Sequence, residues 1–514
     1  MFWTTIICVL LSLVIWDYIH KYSTKIYLSK RGLAGCKLSL PLFGDILPWI
    51  GSDITKIFTL CDTFRINYGK VCHFFIFNKL MLLIQDVEYL EIILSSSRLI
   101  TKNFGYNILR SWLSDGLLIS TGTKWHARRK IITPAFHFGM LEKFIEIFDQ
   151  QSEIFVEGLQ AKADGQTVIE MFSEVCLTTL NIITETAMGV KIEAHTHPDF
   201  PYTTALAGAT NILGARGTQP FYFYDIIFYL ARPLDAIRLR RHINTMHKFT
   251  DQIIKDRREN LKQSSENSSQ KTSDSETHQL GIRNRVAFLD LLLQSTIDGK
   301  PLSNEDIREE VDTFMFEGHD TTASGIAYTF YLLSRHPAIQ EKAYEEVQRV
   351  LEKSENAAIT TKDLQDLKYL ECVIKEALRL YTPVPFIGRV TDEESKIGNV
   401  IIPPDTQIMI PLYNISHDPE YFPNPEAFLP ERFLSEAKDK IHPFAFVPFS
   451  AGSRNCIGQK YAMFEMKMII GKVLRNYKLL PLGPDAVPLM SLILRSATGM
   501  NVGLSRRPRT HTKL

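Results

Sequence analysis

Phe449-Ser-Ala-Gly-Ser-Arg-Asn-Cys-Ile-Gly458 is the stretch from which the fold can be read. It puts one cysteine in a glycine-marked turn, an arginine two residues before it and a helical run after it. Gly452 and Gly458 let the backbone turn and come close to a flat ligand. Peptide N–H groups aimed at the sulfur would lower its pKa and tune a bound metal. A lone cysteine is by default an inert buried thiol. The spacing Phe-x-x-Gly-x-Arg-x-Cys-x-Gly outweighs that default and makes Cys456 a metal ligand. Phe449 would shield the sulfur from water, and Arg454 could pair with an acidic edge group of a cofactor.

Outward from this turn, the chain has 514 residues, enough to bury roughly three-quarters of its unfolded surface around a dry site. A net charge of +1 gives no footprint for nucleic acid. The seven cysteines are an odd number, scattered, with no CxxC pair. That pattern argues against a disulfide framework and a structural zinc site, and for a reducing compartment.

Phe2–Trp16 is apolar apart from two Thr and one Ser. As a helix extended to Ile19 it spans about 25–30 Å, at the short end for crossing a bilayer. Lys21, Lys25, Lys30 and Arg31 follow it, which places the C-terminal side in the cytosol. A cleaved signal peptide would want a basic start and a small-residue cleavage site, and neither is present. The expected organisation is a transmembrane anchor over 1–20, a basic linker and hinge over 21–50, one domain over 51–505 and a basic tail over 506–514. The sequons at Asn267 and Asn414 would face the cytosol and stay unused.

Short strand-like runs occupy Cys72–Phe77 and Lys79–Ile84. From about Val87 to Leu380 the apolar spacing is mostly helical, with strands returning at Phe386–Thr391 and Gln407–Pro411. Ser416–Phe433 carries four prolines and reads as an ordered meander, and Tyr461–Tyr477 is helical again. Lys262–His278 reads as a polar exposed loop. The fold class is mainly α with small peripheral β-sheets. Val311–Leu333 is a long apolar helix with Gly-His-Asp-Thr-Thr at its middle, and polar groups there demand a function.

Phe449–Gly458 resembles the haem-thiolate signature of the cytochrome P450 superfamily. Glu310-Val-Asp-Thr-Phe-Met-Phe-Glu-Gly-His-Asp-Thr-Thr322 resembles the central-helix signature of family four, the fatty-acid ω-hydroxylases and their insect relatives. The resemblance covers essentially the whole chain and implies the cytochrome P450 fold, haem b on Cys456 and oxygen activation by a thiolate-ligated iron. Glu317 and Thr321, four apart, share a helix face, with Asp320 one step round. Thr321 fed by Asp320 is expected to deliver protons while bulk water stays out. The competing reading has Thr321 bond a backbone carbonyl at a local helix break. Gly318 would clear space for the cofactor. Glu317, by its family-four resemblance, can form an ester to a haem methyl.

The same resemblance assigns Trp125 and Arg129 of Trp125-His-Ala-Arg-Arg129, with Arg389 and Arg454, to the haem propionates. Arg128 is expected to face solvent. Glu376, Arg379 and Arg432 would form a buried structural triad. Lys124, Arg128 and Lys130 would offer a basic face to an acidic flavoprotein, NADPH-cytochrome P450 reductase, which supplies electrons from NADPH through its flavins, with cytochrome b5 as a further donor. Gly105–Ser120 and Phe221-Tyr-Phe-Tyr224 are expected around an apolar substrate pocket for a fatty acid, terpenoid or xenobiotic. Ser453 replaces a frequent family-four proline, with only local effects expected. The expected location is the endoplasmic reticulum membrane, catalytic domain toward the cytosol. The rival functions are a reductase-independent haem-thiolate isomerase acting on lipid hydroperoxides and a non-enzymatic haem sensor or carrier.

Overall fold

The computed structural model describes residues 1–37, 39–50, 56–192, 200–269, 288–351 and 358–508. Its frame is helical. Helix α1 is Phe2–Ser29, α2 Ile57–Tyr68, α3 Val87–Ser95, α4 Gly122–Ile132, α5 Phe138–Leu159 and α6 Met171–Ile183. They are followed by α7 (Pro201–Gly217), α8 (Pro233–Ser269), α9 (Asn304–Arg335), α10 (Pro337–Leu351), α11 (Lys368–Leu380) and α12 (Gln459–Asn476). The largest sheet has five strands: β1 Ala34–Gly35, β2 Val71–Ile76, β3 Lys79–Ile84, β4 Phe386–Val390 and β5 Gln407–Pro411. Its order is β1-β2-β3-β5-β4. β3 and β5 run parallel with Gln407 opposite Met81, and β5 and β4 run antiparallel with Ile408 opposite Arg389.

α9 is the axis of the molecule. The Ser303 hydroxyl caps the Asp306 N–H and the Asp306 carboxylate returns to the Ser303 N–H, which fixes where the helix starts. Its 32 residues would span about 48 Å. Most of its side chains are buried all round, so its hydroxyls must find protein partners; Ser324 and Tyr328 reach the Leu494 and Arg495 carbonyls, and the threonines turn back onto the helix. Thr313, Thr321, Thr322 and Thr329 each donate to the carbonyl four residues back. The helix continues through Thr321 without a break, so that hydroxyl satisfies itself on an intact turn.

α1 extends past the expected 1–20 segment, and its second half is docked on the sheet. Leu28 enters the apolar cluster that contains Phe75, Leu82 and Ile84. Lys21 pairs with Asp17 at 2.7 Å, and Lys25 with Asp45 at 3.0 Å, all four buried. One other expectation changes. Lys262–Ser269 continues α8 as helix, because the polar run there contains no residue that stops one, and 270–278 lies outside the described residues. Of the basic tail, Arg506–Pro508 is described and the remainder is not. All seven cysteines are free thiols, and Asn414 is buried with its amide donating to the Phe58 carbonyl.

Glu376, Arg379 and Arg432 meet as expected. The Arg379 guanidinium forks onto both Glu376 oxygens at 2.8 and 2.7 Å, and Arg432 reaches Glu376 at 3.3 Å. Arg379 also donates to the carbonyls of Ser416 and Ala427, tying the proline-rich meander to α11.

Candidate active site

The Cys456 turn is built by backbone geometry that tolerates few other residues. Ser450 and Gly452 both have positive φ, and a Cβ on Gly452 would sit 1.8 Å from the Leu94 carbonyl oxygen of α3. The Phe449 carbonyl accepts from the Cys456 N–H at 2.8 Å, closing the loop just before α12. Arg129 clamps the next residue back, donating to the Asn455 carbonyl and side-chain oxygen at 3.0 and 2.7 Å.

The thiol opens into an internal cavity of about 210 Å³ walled by Phe449, Trp125, Glu317, Gly318 and Thr321 among others. Burial and the nearby Glu317 push its pKa up to about 11, while a Gly458 N–H and Arg129 pull it down. Bound to a metal cation it would be a thiolate at neutral pH. At the cavity, cations are crowded. Burial, then Arg389 and Arg454, hold the Lys102 ammonium well below its usual range. Burial, then Arg389, lowers Arg454 to about 9. Glu317 is the carboxylate facing them, pushed up by burial and drawn down by Lys102, Arg454 and Arg129. Four cations against one buried carboxyl call for an anionic ligand. Haem, flat and apolar with two propionates, fits this donor set.

Glu317 and Thr321 also line a second cavity of about 240 Å³, walled by Tyr106, Phe223, Phe316, Val384 and Met409 among others. Polar chemistry on one side of α9 thus meets an apolar chamber.

The cytochrome P450 family pattern matches residues 35–498. The chain belongs to the cytochrome P450 family. It is 47% identical to cytochrome P450 4d2 of Drosophila melanogaster, over 96% of this chain and 97% of that protein. Probable cytochrome P450 4d20 of the same fly is 45% identical over 99% of both chains. Cytochrome P450 4d10 of Drosophila mettleri is 40% identical over 91% and 90%. These relatives place the protein in family four, insect type, and it is a cytochrome P450 monooxygenase.

Within this cytochrome P450, Cys456, Phe449, Trp125, Arg129, Arg454, Glu317, Gly318 and Thr321 all line the cavity of the thiol. Arg389 lies behind them, 1% exposed, close enough to depress Lys102 and Arg454. One finding differs from expectation, and two add to it. Asp320 is turned to the other side of α9, where Arg495 holds it at 2.5 Å. Gly318 lines the cavity and also serves helix packing, since a Cβ there would meet Ile183 of α6 at 2.7 Å. Arg454 already donates to the carbonyls of Ile100, Leu117 and Ser120 and lies over the Trp125 ring at 4.6 Å.

Arg128 requires a correction. It is 2% exposed, drawn inward by Asp306, Glu309 and Glu310 on the first turns of α9. Lys124 is half-buried and engaged too, at 2.7 Å from Glu309, so of Lys124, Arg128 and Lys130, the expected basic face, Lys130 is the exposed member. From the expected substrate segments, Gly105, Tyr106, Ile108, Leu109, Leu118 and Phe223 do line the chamber. Phe221 packs instead against Phe43 and Phe77. Ser453 is exposed in a short helical turn, consistent with a local effect.

Sequence reasoning missed Lys102 and Arg495. Neither stands in a periodic pattern; each acquires its partner from a distant part of the chain. Cys176, His319 and Asp320 also bring donor atoms within 4.8 Å of one another. That group shares no residue with the Cys456 cavity, and Arg495 occupies its carboxylate.

Proposed function

We propose that this cytochrome P450 inserts one oxygen atom from dioxygen into a lipophilic substrate, with Cys456 as the thiolate ligand of haem b. The observation that carries this is the junction at Glu317 and Thr321, where the cation-lined cavity of Cys456 meets an apolar chamber. Haem bound through a thiolate supplies dioxygen activation. Arg129, Arg389, Arg454 and Lys102 provide the charge for its propionates, and Trp125 and Phe449 provide apolar walls. Glu317 lines the cavity of Cys456, which supports the ester reading.

Thr321 holds the proton at its Oγ. That hydroxyl now donates to the Glu317 carbonyl at 2.6 Å, and turning about one bond aims it into the cavity. Asp320, buried and one residue away, relays the replacement proton: its carboxylate swings from Arg495, takes a proton from solvent and passes it to Thr321. The apolar walls exclude bulk water, which would leak protons to the site.

Electrons come from NADPH through the flavins of cytochrome P450 reductase, with cytochrome b5 as a second donor. The location is the endoplasmic reticulum membrane with the domain toward the cytosol, supported by one helix long and apolar enough to cross a bilayer and the basic residues after it. The reduced carbon-monoxide difference spectrum tests the ligand, and NADPH-dependent product with reductase tests the activity. A histidine-type Soret band, or turnover of lipid hydroperoxides without reductase, would overturn the proposal. Acid-acetone extraction tests Glu317: fully extractable haem excludes the ester.

A further inference from the structure

The apolar chamber carries a second message in what its polar groups are already doing. Asn103 donates to the Ile408 carbonyl at 3.1 Å, Thr218 to Ala215 at 2.9 Å and Ser491 to Thr210 at 3.4 Å. Thr321 is bonded to Glu317. Among the described residues that line the chamber there is no lysine, arginine or histidine.

The cations nearby are committed elsewhere. Lys102, Arg129 and Arg454 line the cavity of Cys456, where haem propionates would take their charge. Arg216 sits one residue from the chamber wall at Gly217, but its Nε donates to the Tyr222 carbonyl at 2.6 Å and its Nη2 pairs with Asp225. The one acidic side chain on the wall, Glu317, repels an anion when ionised and offers no countercharge when neutral or esterified.

We infer that the substrate enters this chamber uncharged, as a neutral lipid such as an alcohol, ester or hydrocarbon, and that an ionised carboxylate is excluded. The physical reason is desolvation: a carboxylate stripped of water needs a cation or several donors. The chamber walls present no cation, and beyond the groups already engaged they offer the Tyr106 hydroxyl beside Gly388. A fatty acid is accepted in its protonated form or as an ester. The inference rests on the monooxygenase reading and narrows its substrate class.

The test uses the haem-loaded, full-length enzyme in detergent, first checked for the thiolate carbon-monoxide spectrum. Low-to-high-spin conversion is then titrated with 1-dodecanol, methyl dodecanoate and dodecanoate, each kept below micelle formation. At about pH 8 the alcohol and ester are expected to bind at least about tenfold more tightly than the acid. The apparent Kd of the acid should fall by up to about tenfold for each pH unit toward its own ionisation range. Equal affinity for acid and alcohol at about pH 8, or acid binding indifferent to pH, overturns the inference. So does an enzyme with the thiolate spectrum that responds to none of the three. A missing thiolate spectrum overturns the earlier reading instead, before any lipid is added.

Discussion

Asp320 and Arg495 are joined at 2.5 Å on the face of α9 turned away from the cavity, one residue along from the Thr321 hydroxyl that lines it. The carboxylate is 2% exposed, and its second oxygen has no hydrogen-bond partner among the described residues. The carboxylate therefore sits behind the helix, and reaching the Thr321 side requires a side-chain swing away from Arg495. Asp320→Asn keeps the shape and removes the charge. Product formation should fall by about a hundredfold with the carbon-monoxide spectrum unchanged. Product per NADPH consumed, compared between the two proteins, checks it.

Lys102 is predicted to have opposite effects on the apo and haem-loaded protein. In the apoprotein it crowds Arg389 and Arg454. Lys102→Met should leave the apoprotein's thermal midpoint unchanged or raised, and speed haem loss about tenfold, a change near 1.4 kcal/mol. Haem transfer to excess apomyoglobin measures the second effect and differential scanning fluorimetry the first.

Glu376 and Arg379 are both fully buried, so breaking their fork strands a charge. Glu376→Gln should cost about 3–5 kcal/mol of stability and lower haem content as a consequence. Arg432→Met should cost much less, because Arg432 is the more exposed member and contacts Glu376 at 3.3 Å. Thermal midpoints of the two variants, side by side, test that order.

Asp312 is buried in α9 beside His247, whose Nε2 lies 3.3 Å away, with Asp251, Arg308 and Tyr202 around them. Burial pushes the carboxyl up to about 8, and burial also lowers His247. From about pH 4 to about pH 8 the folded protein keeps a proton that the unfolded chain has lost. The Asp312 contribution to stability is therefore fully present below that window and falls as pH rises, by up to about 1.4 kcal/mol per unit, while the lowered His247 works in the opposite direction. Glu310, raised to about 8 by burial, adds to the same trend. Asp312→Asn should flatten the decline in thermal midpoint between about pH 6 and about pH 8.

What could be read in advance follows the range of the interaction. Cys456, Glu317 and Thr321 sit in local spacings whose geometry is set by one turn or one helix face. Glu376 and Arg379 are three apart on a helix and met as expected. Asp320 shares that local legibility in position but not in orientation, since Arg495 of a remote strand decides which way it faces. Arg128 misled for the same reason. On α4 alone it belongs to a solvated basic face, and only the packing of α9 brings three acids over it. Lys102 was illegible because its neighbours Arg389 and Arg454 come from far along the chain. The polar run after Lys262 was read from composition, which does not distinguish an exposed helix from an exposed loop.

The docking of α1 bears on how a membrane-free form can be made. Asp17 accepts from the Leu42 N–H at 2.7 Å as well as from Lys21, and Asp45 gathers Lys25, Ser39 and the Phe75 N–H. The last turns of α1 are therefore part of the catalytic domain's floor. A truncation starting at Lys30 would uncover Leu28's pocket and leave Asp45 without its ammonium, inviting aggregation. The usable cut lies upstream, between Trp16 and Asp17, where the greasy stem ends and the fitted one begins.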